Sequence, residues 1–254
     1  MRHFTRTSTL TFNRILPFSK FFQSLLFQSL LKIFKFEVLD IMTQLTNASI
    51  REGDFPRDWK IAKVVPVWKK KGDQRQSDSY RPVALTSNLG KVVEIAVRNQ
   101  LQECIKDRNI LPQNLHGFRS GRSTTSAIIQ VNETVKSALL AKKKVMLVAI
   151  DASAAFDLIH REFLKESVKI IGGGPVCQQW LGSYLSERSC YVASGKGRSK
   201  PWVSDTGVIQ GGPSSPDLYN IGTLSLPAWN KNSESIMYAD DDVELVVADT
   251  EEEC

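Results

Sequence analysis

The sequence has few of the residues that build metal-thiolate centres or disulfide frameworks. Its 254 residues include four cysteines and three histidines. The cysteines stand at Cys104, Cys177, Cys190 and Cys254, with no Cys-x-x-Cys pair and no nearby histidine pattern. Such scattered cysteines argue against zinc and against a disulfide framework, and they favour a reducing compartment. His116 and His160 are single histidines without a ligand spacing, so we assign them no chemistry.

Long apolar runs are missing as well. No stretch of about 18 residues is free of polar interruption, which predicts that no helix of this chain spans a membrane. The sequence shows no internal repeat and no low-complexity linker, and nothing in it indicates an obligate protein partner. With 42% hydrophobic and 24% charged residues, the composition is that of an ordinary globular protein with one large domain or two small ones.

Acidic residues are absent from residues 1–36, which hold six basic ones. The remaining 27 Lys and Arg residues therefore face all 27 Asp and Glu residues, so the rest of the chain is neutral despite the net charge of +6. Any surface that binds phosphates must come from local clustering of basic side chains.

The polar residues from Lys20 to Lys35 recur close to a helical period, which predicts an amphipathic helix with a Phe/Leu face. Three interpretations stay open for this segment: a docking helix of the same domain, a targeting or membrane-surface segment, or sequence read through from outside the ancestral gene. We expect an intracellular protein, in the nucleus or the cytoplasm, with organellar targeting by residues 1–36 as the alternative.

Hydrophobic spacing and turn residues predict a mixed set of elements from residue 37 onward. The predicted helices are 38–49, 89–107, 123–141, 161–170, 176–186 and 214–224, and the predicted strands are 62–68, 188–194 and 202–208. The first of two basic loops, residues 69–73, follows the first predicted strand. The second, residues 115–122, separates the predicted helices 89–107 and 123–141.

Two further segments place acids at the ends of apolar strands. Residues 145–150 are six apolar residues, which predicts a buried strand that ends at Asp151. Residues 236–239 and 243–247 flank three aspartates, Asp240 to Asp242, which predicts a hairpin with carboxylates at its tip.

Carboxylates gathered in this way repel one another and raise one another's pKa, so such a cluster needs divalent cations. Two Mg²⁺ ions about 3.5–4 Å apart can activate a 3′-hydroxyl and stabilise a leaving pyrophosphate. Asp151, Asp240 and Asp241 would suit that role. The alternative for an isolated pair of aspartates is a solvated turn.

Six motifs of this chain, in order and in spacing, resemble the reverse transcriptases of non-long-terminal-repeat retrotransposons. The motifs are Trp59-Lys60, Tyr80-Arg-Pro82, Gly117-Phe-Arg119, Asp151 with Ala155-Phe-Asp157, Gly207-Val-Ile-Gln-Gly211 with Pro216, and Tyr238-Ala-Asp-Asp241. The resemblance spans roughly residues 40–248.

The resemblance implies an α+β fold, the fingers and palm of a right-hand polymerase with an antiparallel palm sheet backed by helices. It implies a basic N-terminal segment (1–40), a fingers-like part (41–140) and a palm (141–254) that ends after the hairpin, without the thumb. It also implies RNA-directed DNA polymerase activity: deoxynucleoside triphosphates are added to a DNA primer on an RNA template with two Mg²⁺ ions, or with Mn²⁺ in their place.

The resemblance also assigns site residues. It makes Asp151, Asp240 and Asp241 the catalytic metal ligands. Phe156 would exclude a 2′-hydroxyl, Gln210 and Gly211 would approach the nucleotide, and Arg81 would grip the triphosphate. The alternatives are a core phenylalanine, a polar loop, and surface pairing of Arg81 with Asp73 or Asp78.

The remaining assignments concern nucleic acid and the acids next to the motifs. Lys69, Lys70, Arg119 and Arg122 would meet nucleic-acid phosphates, although a lysine run is often only a solvated face. Asp157 would cap the start of the helix. Asp242 occupies a position where an uncharged residue is more usual.

Several departures from the family pattern predict a degenerate protein that is inactive as an isolated fragment. Residues 152–154 and 212–219 differ from the usual pattern, Asp217 puts a charge on a face expected to pack, and Gly222 weakens its helix by about 1 kcal/mol. The chain ends at Cys254, before a thumb. The alternative is a non-catalytic nucleic-acid-binding or interaction remnant. An RNA-dependent RNA polymerase palm is a third interpretation, against which Tyr238-Ala239 and Phe156 argue.

Overall fold

A computed structural model describes residues 36–152, 154–195, 197–224, 233–250 and 252. The amphipathic helix predicted between Lys20 and Lys35 lies outside these residues. The helices are α1 (Phe36–Glu52), α2 (Asn88–Asp107), α3 (Thr124–Leu140), α4 (Ala155–Leu158), α5 (Arg161–Ile170), α6 (Pro175–Leu185) and α7 (Ser215–Thr223). Across the described ranges, none of them is long and apolar enough to cross a membrane.

The strands form two sheets. They are β1 (Ile61–Trp68), β2 (Tyr80–Leu85), β3 (Lys144–Asp151), β4 (Arg188–Ser194), β5 (Gly197–Arg198), β6 (Trp202–Ser204), β7 (Ser233–Tyr238) and β8 (Asp241–Ala248). The larger sheet has the order β2-β1-β4-β5, with β6 also paired to β4. The smaller sheet has the order β3-β8-β7, and all its pairings are antiparallel.

Strand β1 lies inside the larger sheet although it contains Pro66. It pairs antiparallel with β2 from Lys63 to Trp68, and parallel with β4 from Ile61 to Val64. Pro66 thus lies beyond the β4 pairing, where its missing N–H interrupts no ladder on that side. Proline inside a strand is typical of an edge or a bulge, and Pro66 lies on the stretch of β1 where the β4 pairing has already ended.

The main core is helical and aromatic. The Trp180 and Tyr184 rings of α6 stack with centroids 5.2 Å apart, and Phe55 meets both rings edge-on at 5.7 and 5.1 Å. Apolar residues of α2, α5 and α7 complete the same cluster. Because large aromatic side chains bury much apolar area, this cluster contributes strongly to holding the helices beside the larger sheet.

Two expectations from the sequence are wrong. Residues 145–150 were expected to form a buried strand, but among the described residues β3 is an edge strand, and Met146, Leu147 and Val148 are 40, 50 and 40% exposed. A short apolar run does not reveal whether other elements cover it. The strand expected over 202–208 ends at Ser204, and Gly207, with φ 71°, turns the chain back toward α4.

Asp217 is buried, as the spacing in α7 indicated, but its charge is compensated. Its carboxylate accepts hydrogen bonds from Arg98 Nε at 2.6 Å and from Gln102 Nε2 at 3.0 Å, both on α2. A buried carboxylate with a guanidinium partner ties helices together, since removing either partner leaves an uncompensated charge. This pair therefore links α7 to α2.

Candidate active site

The tip of the β7–β8 hairpin carries two of the predicted metal ligands. Tyr238 ends β7, Asp241 begins β8, and the turn between them consists of Ala239 and Asp240. Ala239 adopts a left-handed backbone conformation with φ 57°. The predicted hairpin with acids at its tip is therefore present.

Asp151 joins these acids from the neighbouring strand. It is the last residue of β3 and the direct cross-strand partner of Asp241. The backbone N–H of Ala152 donates to the carbonyl of Asp240 at 3.2 Å, which fixes the strand end against the turn. Directly opposite residues have Cβ atoms about 4.5–5.5 Å apart, so these carboxylates are neighbours on one sheet face.

The three carboxylates are exposed, and none has an ion pair or a side-chain hydrogen bond with the described residues. Across the described ranges, no group of three His, Cys, Asp or Glu side chains is arranged to hold a metal ion. Carboxylate oxygens are the donors that Mg²⁺ prefers, so the type of ligand fits. The fold therefore brings the three acids to one end of the smaller sheet, but their carboxylates do not converge on a common position for a metal ion.

Two further acids lie on the other face of β8. Asp242 accepts a hydrogen bond from Ser235 Oγ at 2.8 Å, and burial, with help from the charge of Glu244, raises the pKa of its carboxyl. Glu244 is 4% exposed, and among the described residues neither of its carboxylate oxygens has a hydrogen-bond partner. Sequence reasoning missed Glu244, although a lone acid inside the apolar run 243–247 was a signal for it.

Phe156 lies in an aromatic stack beside the hairpin tip. Its ring stacks on Tyr219 with centroids 4.8 Å apart and meets Phe118 edge-on at 5.9 Å. Burial, with the charges of Asp240 and Asp242, raises the pKa of the Tyr219 hydroxyl. The ring of Phe156 is thus supported from α7 and lies in the neighbourhood of the acids.

Asp157, expected to cap this helix, does not do so. The residue at the N-cap of α4 is Ala154, with φ 54° and no side-chain hydrogen bond, and Asp157 lies inside the single turn that follows. Burial raises the pKa of the Asp157 carboxyl.

The loop that carries Gln210 and Gly211 lies against the larger sheet. The Gln210 carbonyl accepts a hydrogen bond from the Ala84 N–H of β2 at 2.8 Å. Gly211 has φ 113°, and a Cβ there would lie 2.7 Å from the Ala84 carbonyl oxygen, so only glycine fits. The side-chain oxygen Oε1 of Gln210 is buried and has no hydrogen-bond partner in the part of the chain that the structure describes.

Glu94, which no sequence motif marked, anchors the next part of this loop. It is 1% exposed, and its Oε1 accepts hydrogen bonds from Tyr184 Oη at 2.9 Å, Ser214 N at 2.9 Å and Ser214 Oγ at 2.7 Å. Burial raises the pKa of the Tyr184 hydroxyl well above its ordinary value. A charged residue on the otherwise apolar face of α2 was the available signal.

The loop between α2 and α3 pairs with the outer edge of β7. The backbone N–H of His116 donates to the Met237 carbonyl at 2.8 Å, and Met237 N–H donates to the Asn114 carbonyl at 2.9 Å. The His116 ring, 1% exposed, lies 2.7 Å from Ser126 Oγ and 2.8 Å from Gln130 Oε1. His116, to which the sequence assigned no chemistry, thus holds this loop in place.

The four predicted nucleic-acid contacts differ in how far they are already engaged. Lys70 is exposed, while Lys69 Nζ donates to the Asp78 carbonyl at 2.8 Å. Arg119 Nη1 turns inward to the carbonyls of Pro112 and Leu115, and burial lowers the pKa of its guanidinium.

Arg122 and Arg81 are the other two basic residues to which the resemblance assigns phosphate contacts. Arg122 Nη2 donates to Gln113 Oε1 at 2.7 Å. Arg81 is exposed on β2, and the described residues show no ion pair between it and Asp73 or Asp78.

Comparison with known proteins identifies the family to which this chain belongs. Residues 68–254 match the family model of the reverse transcriptase (RNA-dependent DNA polymerase). The chain belongs to the reverse transcriptase family. This confirms the resemblance drawn from the six motifs.

Curated relatives place the chain with transposons. It is 34% identical over 184 residues to the probable RNA-directed DNA polymerase from transposon BS of Drosophila melanogaster, which covers 72% of this chain and 20% of that protein. It is 26% identical over 199 residues to the RNA-directed DNA polymerase from mobile element jockey of the same species, covering 78% of this chain and 22% of the relative. The chain thus spans about a fifth of the length of these relatives.

Solved structures agree on the fold. The apo telomerase of Candida tropicalis truncated from its C-terminal domain superposes with a TM-score of 0.53 and 15% identity, covering 82% of this chain and 48% of that one. A telomerase of Candida albicans gives a TM-score of 0.55 at 10% identity, covering 80% of this chain and 40% of that one. The α+β fold expected from the sequence is confirmed.

Proposed function

We propose that this reverse transcriptase domain carries the fingers and palm of an RNA-directed DNA polymerase of a non-long-terminal-repeat retrotransposon. In this proposal Asp151, Asp240 and Asp241 are its metal ligands. One observation carries the assignment: residues 90 positions apart in the chain, Asp151 and Asp241, are cross-strand partners at the ends of their strands. Two Mg²⁺ ions bound there would activate a primer 3′-hydroxyl and stabilise the leaving pyrophosphate.

The surroundings of the acids support this role. All three are exposed at a strand end, so a nucleotide can approach them without rearrangement of the core. Neighbouring carboxylates without a basic partner repel one another, and a bound cation would relieve that repulsion. Because the three carboxylates do not converge in the described structure, their side chains would have to rotate when a metal ion binds.

The nucleotide would lie between the acids and the fingers. The Phe156 ring is held in place by its stack on Tyr219, and it would exclude a 2′-hydroxyl on the sugar by steric clash. Gln210 and Gly211 would approach the nucleotide from their own loop, and the buried Gln210 Oε1, without a partner among the described residues, would have to rotate outward to accept a hydrogen bond from it. Arg81, exposed and permanently charged, would bind the triphosphate.

Nucleic-acid contacts would come from two pairs of basic side chains. Lys70 and Lys69 would contact phosphates of the RNA template or the DNA primer. Arg119 and Arg122 already donate to their own loop, so they would support the shape of that loop and offer their remaining N–H groups to phosphates.

A second candidate function is a non-catalytic nucleic-acid-binding remnant. Two observations favour it: the carboxylates do not converge, and Glu244 is buried beside the site without a partner. A domain under no demand for catalysis would tolerate both features.

The test of the metal site is thermal unfolding of the full chain with and without about 10 mM Mg²⁺ or Mn²⁺, since a ligand that binds the native state raises the Tm. We expect a rise that disappears in the variant combining Asp151→Asn with Asp240→Asn. Asp249→Asn, at the opposite end of the same hairpin, is the matched control and should keep the rise. A rise that persists in the double variant would show that the ions bind elsewhere.

A further inference from the structure

The end of the loop that carries Gln210 is bound to one buried carboxylate. Glu94 Oε1 accepts hydrogen bonds from the Ser214 N–H at 2.9 Å and from Ser214 Oγ at 2.7 Å. In the described part of the chain, the backbone hydrogen bonds of residues 211–215 stay inside the loop or lead into the start of α7. Gly212 passes so close to the carboxylate that a Cβ there would lie 2.8 Å from Oε1. The carboxylate therefore ties this stretch of the loop to α2.

The Glu94 carboxylate is itself held by the aromatic core. Its Oε1 also accepts a hydrogen bond from Tyr184 Oη, whose ring stacks on Trp180 with centroids 5.2 Å apart. The Arg188 guanidinium, 2% exposed, lies 4.8 Å from the centroid of the Tyr184 ring. Burial lowers the pKa of this guanidinium, and the charge of Glu94 acts in the opposite direction. Because a packed core resists displacement, the Glu94 oxygen is a fixed point for the loop.

Packing alone does not account for a carboxylate at this position. Glu94 is 1% exposed, and a buried carboxylate is unfavourable unless hydrogen bonds compensate for its lost hydration. An apolar side chain of similar volume often replaces such a group without loss of stability. It would, however, leave the Ser214 N–H without its acceptor. The carboxylate thus gives the end of the loop a defined position, which an apolar side chain would not do.

The first half of the loop is held where the nucleotide is proposed to lie. The Val208 N–H donates to the Phe156 carbonyl at 2.8 Å, so the loop begins beside the ring proposed to contact the sugar. Two residues later, the Gln210 carbonyl accepts from the Ala84 N–H at 2.8 Å. Both bonds precede Gly211, whose φ of 113° favours glycine. The bonds to the carboxylate follow it, so they fix the direction in which the chain continues from Gln210.

We propose that Glu94 is a positioning residue for the nucleotide, which holds the loop through Ser214 so that Gln210 and Gly211 stay beside the substrate. This inference rests on the proposed function, because a nucleotide bound at the three acids is what the loop would meet. Glu94 itself contacts no substrate. Without its carboxylate the loop adopts further conformations, and a nucleotide that binds one of them loses apparent affinity in proportion to the others.

The experiment is a titration of the full chain with deoxyadenosine triphosphate (dATP) in about 10 mM Mg²⁺, followed by the rise in Tm. The rise with Mg²⁺ alone reports the acids, and the further rise with dATP reports the nucleotide. Glu94→Gln keeps the size of the side chain and removes its charge, so we expect its apparent Kd for dATP to be about tenfold higher or more. Ser214→Ala removes the bond from the hydroxyl and keeps the one from the N–H, and should raise the Kd about threefold or more. Both variants should keep the rise with Mg²⁺ alone.

Ser49→Ala is the matched control. Ser49 is also a buried serine, and its Oγ accepts a hydrogen bond from Trp180 Nε1 at 3.0 Å. The substitution therefore removes a hydrogen bond at the same aromatic core without touching the loop. It should lower the Tm and leave the Kd for dATP unchanged.

Hydrogen exchange of the Ala84 amide measures the position of the loop without a nucleotide, because this N–H is bonded to the Gln210 carbonyl. We expect faster exchange in Glu94→Gln and in Ser214→Ala than in the wild-type chain. Ser49→Ala should exchange at the wild-type rate. If Glu94→Gln does not fold, Ser214→Ala decides by itself in both measurements.

The outcomes separate this inference from the proposed function. A wild-type chain whose Tm does not respond to dATP would overturn the proposed function, and this inference with it. A wild-type response to dATP that Glu94→Gln and Ser214→Ala leave intact would overturn the role of Glu94 alone. Equal weakening by Ser49→Ala, or an Ala84 amide that exchanges at the wild-type rate in the loop variants, would do the same.

Discussion

Gly117 lies so close to Ala239 that a Cβ on the glycine would fall 2.2 Å from the Ala239 amide nitrogen. The loop that carries Gly117 therefore rests directly on the turn that holds Asp240. Any side chain at position 117 must push this turn, and with it the acidic tip, away from the loop. The identity of a residue in the loop after α2 is thus coupled to the position of a proposed metal ligand.

We expect Gly117→Ala to lower the free energy of unfolding by about 1–3 kcal/mol through this overpacking and to reduce the metal-dependent rise in Tm. Urea unfolding and thermal melts with Mg²⁺ measure the two effects. Gly182→Ala is the control, since a Cβ there meets its nearest atom at 3.7 Å, and alanine favours the helix. Equal stability of Gly117→Ala and the wild-type chain would contradict the close contact.

Replacing Glu244 should stabilise the protein. A buried carboxylate without a hydrogen-bond partner is unfavourable, and leucine of similar size would pack against Val246 and its neighbours. We expect Glu244→Leu to raise the free energy of unfolding by about 1–3 kcal/mol in urea titrations. Glu133→Leu, on an exposed position of α3, is the comparison for the change of residue type. A loss of stability in Glu244→Leu would mean that the carboxylate serves an interaction in solution.

The pH dependence of stability should include a contribution from Asp157. Burial raises the pKa of this carboxyl in the folded state above its ordinary value of 3.8. The stability that its protonated form contributes is fully present below the unfolded-state pKa and is lost as the pH rises through the folded-state pKa. Asp157→Asn should remove this loss, so its urea midpoint should fall less than that of the wild-type chain from about pH 4 to about pH 7. Parallel curves would show that Asp157 is solvated.

The sugar filter is testable in an active background, with this chain joined to the C-terminal remainder of a related polymerase. Phe156→Val removes the ring that stacks on Tyr219 and opens space for a 2′-hydroxyl. We expect the ratio of ribonucleotide to deoxynucleotide incorporation to rise about tenfold or more in single-nucleotide extension. Phe163→Val, at a 40% exposed position of α5, is the matched control. An unchanged ratio in Phe156→Val would reassign this ring to packing alone.

Primer extension by this chain alone should be slow. Orienting the attacking group can contribute about 7–11 kcal/mol to catalysis, and here the carboxylates are not gathered in advance. Losing a third of that contribution slows turnover roughly 50-fold or more. The assay uses an RNA template, a DNA primer and deoxynucleotides with Mn²⁺, beside Asp240→Ala. Fast extension that disappears in Asp240→Ala would contradict a degenerate enzyme.

Local pattern predicted most of the elements. Helix Arg161–Ile170 and strand Arg188–Ser194 have the bounds expected from the sequence, because apolar period and neighbouring breakers define both. The hairpin tip with Asp240 was also evident, since a short polar stretch between two strand-like apolar runs is typical of a hairpin turn.

What the sequence did not reveal depends on contacts between distant segments. The exposure of β3 follows from what lies beside it, which residues 145–150 do not encode. The buried bonds of Glu94 join α2 to Ser214, 120 positions away, and the inward turn of Arg119 depends on the course of its own loop. The spacing of residues along the sequence identifies a charged residue on an apolar helix face, but it does not identify the distant residue to which that side chain is hydrogen-bonded.

The parallel pairing of β1 with β4 has a consequence for synthesis of the chain. Ile61 pairs with Ser189 and Val64 with Val192, so β1 acquires its second neighbour only after residues 189–192 have left the ribosome. Until then the nascent β1–β2 hairpin has a single pairing, which is at best marginally stable alone, and Ala62 and Val64 have no sheet partner on their β4 side. We expect the nascent chain to be most prone to aggregation, and most dependent on chaperones, while the residues between β2 and β4 are being synthesised.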